Sequence, residues 1–257
     1  MGSRPVGGPG TPRGGLARRT LTREKVLQAA IELVDTEGLE SLSMRRLASA
    51  VGVQAMSLYN HVTDKDDLLD GITELVAGQI APPDPAAGWR ESMRERTLSA
   101  RAVLQRHPWA ATLMEARGNA GPARLDHSEA LVATFRLAGF SLELTHRALL
   151  TLDSHLYGFL LQEQAWPTAD PSAVAAIVES MSGAMPPERY PYLSELLRTR
   201  VVHVGPADAG AFAFGLDLIL DGLDRARDAE AAGELHRTRE AGRNPVGVAG
   251  RGDAPGR

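Results

Sequence analysis

The tightest constraint on the fold is the spacing of apolar residues between about residue 21 and residue 229, which recurs at three and four and never sustains an alternation of two. That period belongs to helices, because 3.6 residues per turn bring such positions back to one face. In LTREKVLQAAIELVDTEG, the set Val26, Leu27, Ala30, Ile31 and Val34 marks a first helix that Gly38 ends. SMRRLASAVG predicts a short second helix, capped by Ser43 and stopped at Gly52, with Leu47, Ala48 and Val51 inward. After the Gly52-Val53 turn, QAMSLYNHV predicts a third helix with Leu58 and Val62 buried. Thr63 is then expected to cap a fourth helix, with Asp66 in the reciprocal position, running through Leu68, Leu69, Ile72, Leu75 and Val76.

The cluster Ala81-Pro82-Pro83-Asp84-Pro85 breaks the pattern and closes a first module. Beyond it, helices are predicted over 89–105, 108–115, 122–138, 142–164, 171–182, 187–202 and 206–229, several of them opening at proline. The chain is therefore expected to be all-α. Its organisation reads as a disordered basic tail over 1–20, a first helical module over 21–81, a second over 86–229 and a Gly- and Arg-rich disordered tail over 230–257.

At 43% hydrophobic residues the chain can build a substantial core, which excludes wholesale disorder. It has no cysteine, so disulfides, thiolate nucleophiles and Cys-ligated metal sites are excluded. No apolar run approaches a membrane span, and the first twenty residues lack the apolar core of a signal peptide. A soluble, cytoplasmic protein without a membrane partner is the expectation. The net charge of -4 hides an asymmetry: residues 1–23 carry five arginines and no acid, whereas residues 24–80 carry ten acids and four bases. The basic arm suits phosphates, although its composition also suits a merely solvated tail.

Two short helices joined by a Gly-containing turn form a helix-turn-helix, whose second helix fits the major groove of DNA. With Leu58 and Val62 inward, the outward set is Ala55, Met56, Ser57, Tyr59, Asn60 and His61, an unusual group for an ordinary solvated face. Helix 1, SMRRLASAVGV, SLYNHV and DKDDLLD, with the pattern Tyr-x-His-Val-x-x-Lys, resemble the DNA-binding domain of the tetracycline-repressor family of bacterial transcriptional regulators. AGFSLELTHRALLTLDSHLYGFLLQEQ and FAFGLDLILDGL resemble the ligand and dimerisation helices of the tetracycline-repressor subgroup, so the likeness runs from about Leu21 to Arg227.

The resemblance implies a DNA-binding set. Arg45 sits where the family contacts a base edge or phosphate, and arginine can read guanine O6 and N7 with two hydrogen bonds. Ala55, Met56 and Ser57 begin the groove-facing helix; Tyr59, Asn60, His61 and Lys65 match groove- or backbone-contacting positions. Lys65 has a second reading as counter-charge to Asp64, Asp66 and Asp67. Thr22 and Arg23 are expected to add a phosphate contact at the start of helix 1. A glutamine that the tetracycline repressor uses on bases is Ala55 here, so a different operator is expected.

The resemblance also implies that the helices over 142–164 and 206–229 pair with their symmetry mates, giving a homodimer on a roughly palindromic double-stranded DNA operator. A small-molecule effector is expected in an apolar pocket lined by Trp109, Met114, His127, Leu131, Phe135, Leu152, His155, Phe159 and Glu163. His155 and Glu163 fall where the tetracycline repressor surrounds its drug and magnesium, but a histidine ligand of that metal is replaced near Met114 and Glu115. A different, largely apolar effector is therefore expected, with no metal and no cofactor. The implied mechanism is a two-state repressor, released when the effector shifts helix 4.

Two other classes compete. An enzyme using His155 with Glu163 is one, but the chain has no Gly-x-Ser-x-Gly elbow, His-Glu-x-x-His helix, phosphate loop or Gly-x-Gly-x-x-Gly after a strand. A ligand-binding module that has lost DNA binding is the other.

Overall fold

The computed structural model describes residues 21–116, 121–165, 171–197, 199 and 209–242. Among these residues the secondary structure is helical throughout, with no strand. The helices are α1 Arg23–Glu37, α2 Met44–Val51, α3 Ala55–Leu58, α4 Lys65–Ala77, α5 Trp89–Arg106, α6 Pro108–Ala116, α7 Pro122–Leu137, α8 Leu142–Ala165, α9 Pro171–Ala184, α10 Pro191–Leu196 and α11 Ala209–Gly242.

Local chemistry sets the first three helices. Thr22 caps α1 by accepting from the Lys25 amide, and Ser43 caps α2 by accepting from the Arg46 amide. Gly52 ends α2 in the left-handed region at φ 72°, where a side chain would be strained, so the chain turns sharply into α3. Leu47, Leu58, Leu68 and Ile72 are fully buried against Val26 and Ala30 of α1, which welds α1 to α4 into one module.

Several boundaries differ from the sequence expectation. The third helix is one turn, Ala55–Leu58; after it the His61 and Val62 amides both donate to the Leu58 carbonyl, tightening the chain into a turn. The cap of α4 is Asp64, which accepts from the Asp67 amide at 2.8 Å, while Asp67 Oδ2 accepts from the Thr63 amide at 2.8 Å. The cap is thus Asp64 and not Thr63, and the acid that reaches back is Asp67, third after the cap, which accepts from the Thr63 amide just before it. The tenth helix spans only Pro191–Leu196, and most of its expected continuation lies outside the described residues. The last helix runs on to Gly242, so the stretch 230–242, expected as disordered tail, continues the helix: its Ala, Glu, Leu and Arg content favours helix and no proline interrupts it. The expected tail at 1–20, and residues 243–257, lie outside the described residues.

In the second module α5 packs on α8 and α11, and α8 and α11 pack along each other. Phe212, Leu216 and Leu220 of α11 meet the buried Leu152, Leu156 and Leu160 of α8 in one core. Arg90 bridges to Asp221 and Asp224, and Arg94 to Asp217, lacing α5 to α11 outside that core. Helix α6 lies between the modules, in contact with α1, α4 and α5.

Candidate nucleic-acid interface and ligand cavity

Arginines near the helix-turn-helix do different work. Arg23 donates to both Asp67 oxygens, at 2.9 and 2.6 Å, and to the His61 carbonyl at 2.9 Å, so it pins the end of the α3 turn to α4. The pairing holds the Asp67 carboxyl at about 2, well below its ordinary value, chiefly through the hydrogen bond from Arg23. Arg46 pairs with Glu37 at the end of α1, Nε to Oε2 at 3.0 Å. Arg45, one residue earlier, is exposed and has no hydrogen bond or ion pair among the described residues.

The set expected to face outward from α3 is only partly exposed, and Ala55 packs against the core. Met56 is 76% exposed and Tyr59 46%, high values for large apolar groups on a module with a well-filled core. Asn60 and Lys65 are exposed, while Ala55, Ser57 and His61 are half-buried. Thr22 spends its hydroxyl on capping α1.

The second module holds a cavity of about 160 Å³ among α5, α6, α7 and α8, with Ala77 and Ile80 at the end of α4 also in its wall. Three of the nine residues expected to line a pocket do so: Met114, His127 and Leu131. The other six lie elsewhere. Trp109 is at the contact between modules, its indole Nε1 donating to Asp35 Oδ1 at 2.7 Å. Phe135 is fully buried in an aromatic cluster with Trp89 and Phe140, at centroid distances of 5.7 and 5.1 Å, and Leu152 is core.

His155, Phe159 and Glu163 form a separate joint with Arg101 and Phe212. His155 Nε2 donates to the Phe212 carbonyl at 3.0 Å and the ring stacks on Phe212 at 4.7 Å. Glu163 accepts from Arg101 and Gln105, and the Arg101 guanidinium lies 5.6 Å from the Phe159 ring centroid and 5.0 Å from that of Phe212. His155 and Glu163 are therefore engaged with other partners, which removes the acid-histidine pair that the enzyme reading needs. Gly215 lets α11 approach closely here: a Cβ on it would stand 2.6 Å from His155 Cε1, so the ring would have to shift.

The cavity wall is more polar than the sequence suggested. Besides Leu104, Met114, Leu131 and Leu156 it carries Arg96, Glu115, Arg124, Ser128, Asp153 and Tyr157. Arg96 Nε donates to His127 Nε2 at 3.2 Å, and Arg96 Nη1 is 3.9 Å from Asp153 Oδ1. Burial, reinforced by Arg96, holds the His127 imidazole at about 4, so it is neutral at physiological pH. Burial pushes the Asp153 carboxyl up, with Arg96 opposing and Glu115 reinforcing. The Tyr157 hydroxyl is also pushed up, first by burial and then by the neighbouring carboxylates. The sequence held one signal for these residues: Asp153 is the lone acid between Glu143 and Glu163 of α8, with Tyr157 one turn on. Arg96 gave none, because α5 is rich in charge throughout.

The chain matches two family profiles: bacterial regulatory proteins of the tetR family over residues 26–72, and the tetracyclin repressor-like C-terminal domain over residues 81–227. It is 32% identical to the HTH-type transcriptional repressor DrrR1 of Streptomyces coeruleorubidus, over 87% of this chain and 82% of that protein. It is 30% identical to the class C tetracycline repressor protein of Escherichia coli, over 80% of this chain and 92% of that protein. Among solved structures, the TetR family protein ActR of Streptomyces coelicolor in complex with actinorhodin superposes with a TM-score of 0.65 at 26% identity, covering 81% of this chain and 99% of that one. With a helix-turn-helix joined to a helical ligand domain and both family profiles matched in order, the chain belongs to the tetR family of DNA-binding transcriptional regulators.

Proposed function

We propose that the protein is a homodimeric repressor whose α2–α3 unit binds a roughly palindromic operator and whose cavity takes a small molecule that releases it. The observation that carries the reading is Arg45. Of the arginines in the helix-turn-helix region, Arg23 and Arg46 are held in ion pairs, whereas Arg45 is exposed, as are Met56 and Tyr59. In the bound state Arg45 reads a base edge, Ala55, Met56 and Ser57 meet the groove, and Tyr59, Asn60, His61 and Lys65 set the register on the backbone. Arg23 and Thr22 serve by holding the unit in shape.

Dimerisation is supported by apolar side chains outside the core of one subunit. On α11, Phe214 is 68% and Leu218 53% exposed; Leu150 and Leu161 of α8 are exposed as well. Pairing of α8 and α11 with their symmetry mates covers them and sets two α3 units at half-site spacing.

Release follows from how α6 is held. Its C-terminal residues Met114 and Glu115 wall the cavity, while His107 and Trp109 at its other end hold Asp35 of α1. A ligand that favours one position of α6 and α4 biases the recognition units by its differential affinity for the two states. The mixed wall supports an effector with both polar and apolar parts, in place of the largely apolar one expected from the sequence. Action on DNA in the cytoplasm needs no membrane, and no helix among the described residues is long and apolar enough to cross one.

Selection of duplexes from a random DNA pool, followed by salt titration of the enriched sequence, tests the reading. A palindrome whose binding weakens with salt and is lost on Arg45→Ala supports it. Absence of any enriched sequence at low salt overturns it.

A further inference from the structure

The chemistry of the cavity narrows what it can hold. Arg96 is its least hydrated charge: the side chain is 11% exposed, against 44% for Asp153. Of the five N–H donors of its guanidinium, Nε is spent on His127 at 3.2 Å, and Nη1 stands 3.9 Å from Asp153, beyond hydrogen-bond reach. Among the described residues Arg96 makes no other hydrogen bond, and Tyr157 adds only an electrostatic contact. A largely buried guanidinium with one protein hydrogen bond has donors left for a charge-assisted partner.

The remaining charges on the wall are Arg124, Glu115 and Asp153, and His127 is neutral. Arg124 donates from Nη2 to the Met114 carbonyl at 2.9 Å. Both carboxylates retain more exposed surface than Arg96, so water serves them better. A ligand cation would lie beside two guanidiniums and leave Arg96 unserved; a ligand anion supplies the missing partner. The gap of 3.9 Å between Nη1 and Asp153 also admits a ligand group that accepts from one and donates to the other.

Leu104, Met114, Leu131 and Leu156 form the apolar part of the wall. At about 160 Å³ the space resembles the roughly 150 Å³ engineered cavity that accepts benzene, so a single ring suits it. Resting on the reading of this cavity as the effector site, we propose that it selects an aromatic hydroxy-acid: a small planar ring system whose carboxylate docks on Arg96 and whose adjacent hydroxyl donates to Asp153.

Isothermal titration of the full chain with 2-hydroxybenzoate, its uncharged amide and 2-hydroxybenzylamine tests this, one hydroxylated ring carrying three head groups. The acid is expected to bind at least about tenfold more tightly than the amide, as a charge-assisted bidentate pair does over a neutral one, and the amine not at all. Arg96→Gln is expected to bring acid and amide to equal affinity with an unchanged far-ultraviolet spectrum. Arg96→Lys, which keeps the charge but loses the fork, is expected to fall between. Tighter binding of the amine than of the acid, or an acid preference that survives Arg96→Gln, overturns the charge assignment. If that amine binding is abolished by the cavity-filling Leu156→Trp, the cavity reading still stands. Failure of all three probes to bind at millimolar concentration overturns both.

Discussion

The indole Nε1 of Trp109 donates to Asp35 Oδ1 at 2.7 Å, fastening the first turn of α6 to the last turn of α1 across the two modules. His107 Nδ1 lies 2.9 Å from both oxygens of the same carboxylate, and its side chain is buried. Asp35→Ala leaves both rings without their acceptor and is expected to cost about 1–3 kcal/mol. Urea unfolding followed by tryptophan fluorescence measures the loss; an unchanged midpoint would show that the joint adds nothing to stability. Asp35→Asn retains an acceptor and is expected to lose less.

Neighbouring arginines on α2 separate recognition from stability. Arg45→Ala is expected to weaken operator binding by about 1–3 kcal/mol, roughly tenfold to more than a hundredfold, with no shift in melting temperature. Arg46→Ala removes the ion pair to Glu37 and is expected to leave sequence preference intact. Fluorescence anisotropy with operator and mismatched duplexes distinguishes them: equal effects on preference would remove the special role of Arg45.

Acid weakens the pin between α1 and α4 in a defined window. Asp67 is lowered from 3.8 to about 2 by Arg23, so its contribution is present above pH 3.8 and lost as pH falls toward 2. Because both partners reach solvent, screening limits that contribution to less than about 1 kcal/mol. Comparison of wild type with Asp67→Asn by chemical denaturation at pH 7 and pH 2.5 checks the sign: the difference should shrink at the lower pH.

Close packing of His155 on Gly215 makes α11 intolerant of a side chain there. Gly215→Ala places a Cβ 2.6 Å from His155 Cε1, forcing the ring away from the Phe212 carbonyl. A cost of about 1–3 kcal/mol is expected, despite the higher helix propensity of alanine. Thermal unfolding would instead show a gain if the ring yields freely.

Charge on the exposed face of α11 tests the proposed dimer. Phe214→Asp removes a large apolar group that is 68% exposed in the single subunit, so the monomer fold should persist. Light scattering after size-exclusion chromatography is expected to show monomers, and operator affinity should fall with the lost half-site. A dimer that survives the substitution places the interface elsewhere.

The sequence by itself determined the helical class, the position of the helix-turn-helix and the start of most helices. These depend on local quantities: apolar spacing, a capping serine at 43, a left-handed glycine at 52 and prolines at the first turns of α6 and α7. The outward face of α3 was legible in part: Leu58 and Val62 are buried and Met56, Tyr59 and Asn60 exposed, whereas Ala55 packs against the core. Even there, the pairing of Arg23 was not legible, because its partner Asp67 is 44 residues away along the chain.

Tertiary structure alone decided the cavity. His155, Phe159 and Glu163 share α8 with Asp153 and Tyr157, yet rotation about the helix axis sends the first three to the joint with Arg101 and Phe212 and the other two to the cavity. A helix buried on more than one face carries apolar and polar residues all round, so periodicity does not say which face meets which neighbour. Only the packing of α8 against α5 and α11 fixes that rotation, and with it the place of Asp153 near Arg96 in the cavity wall.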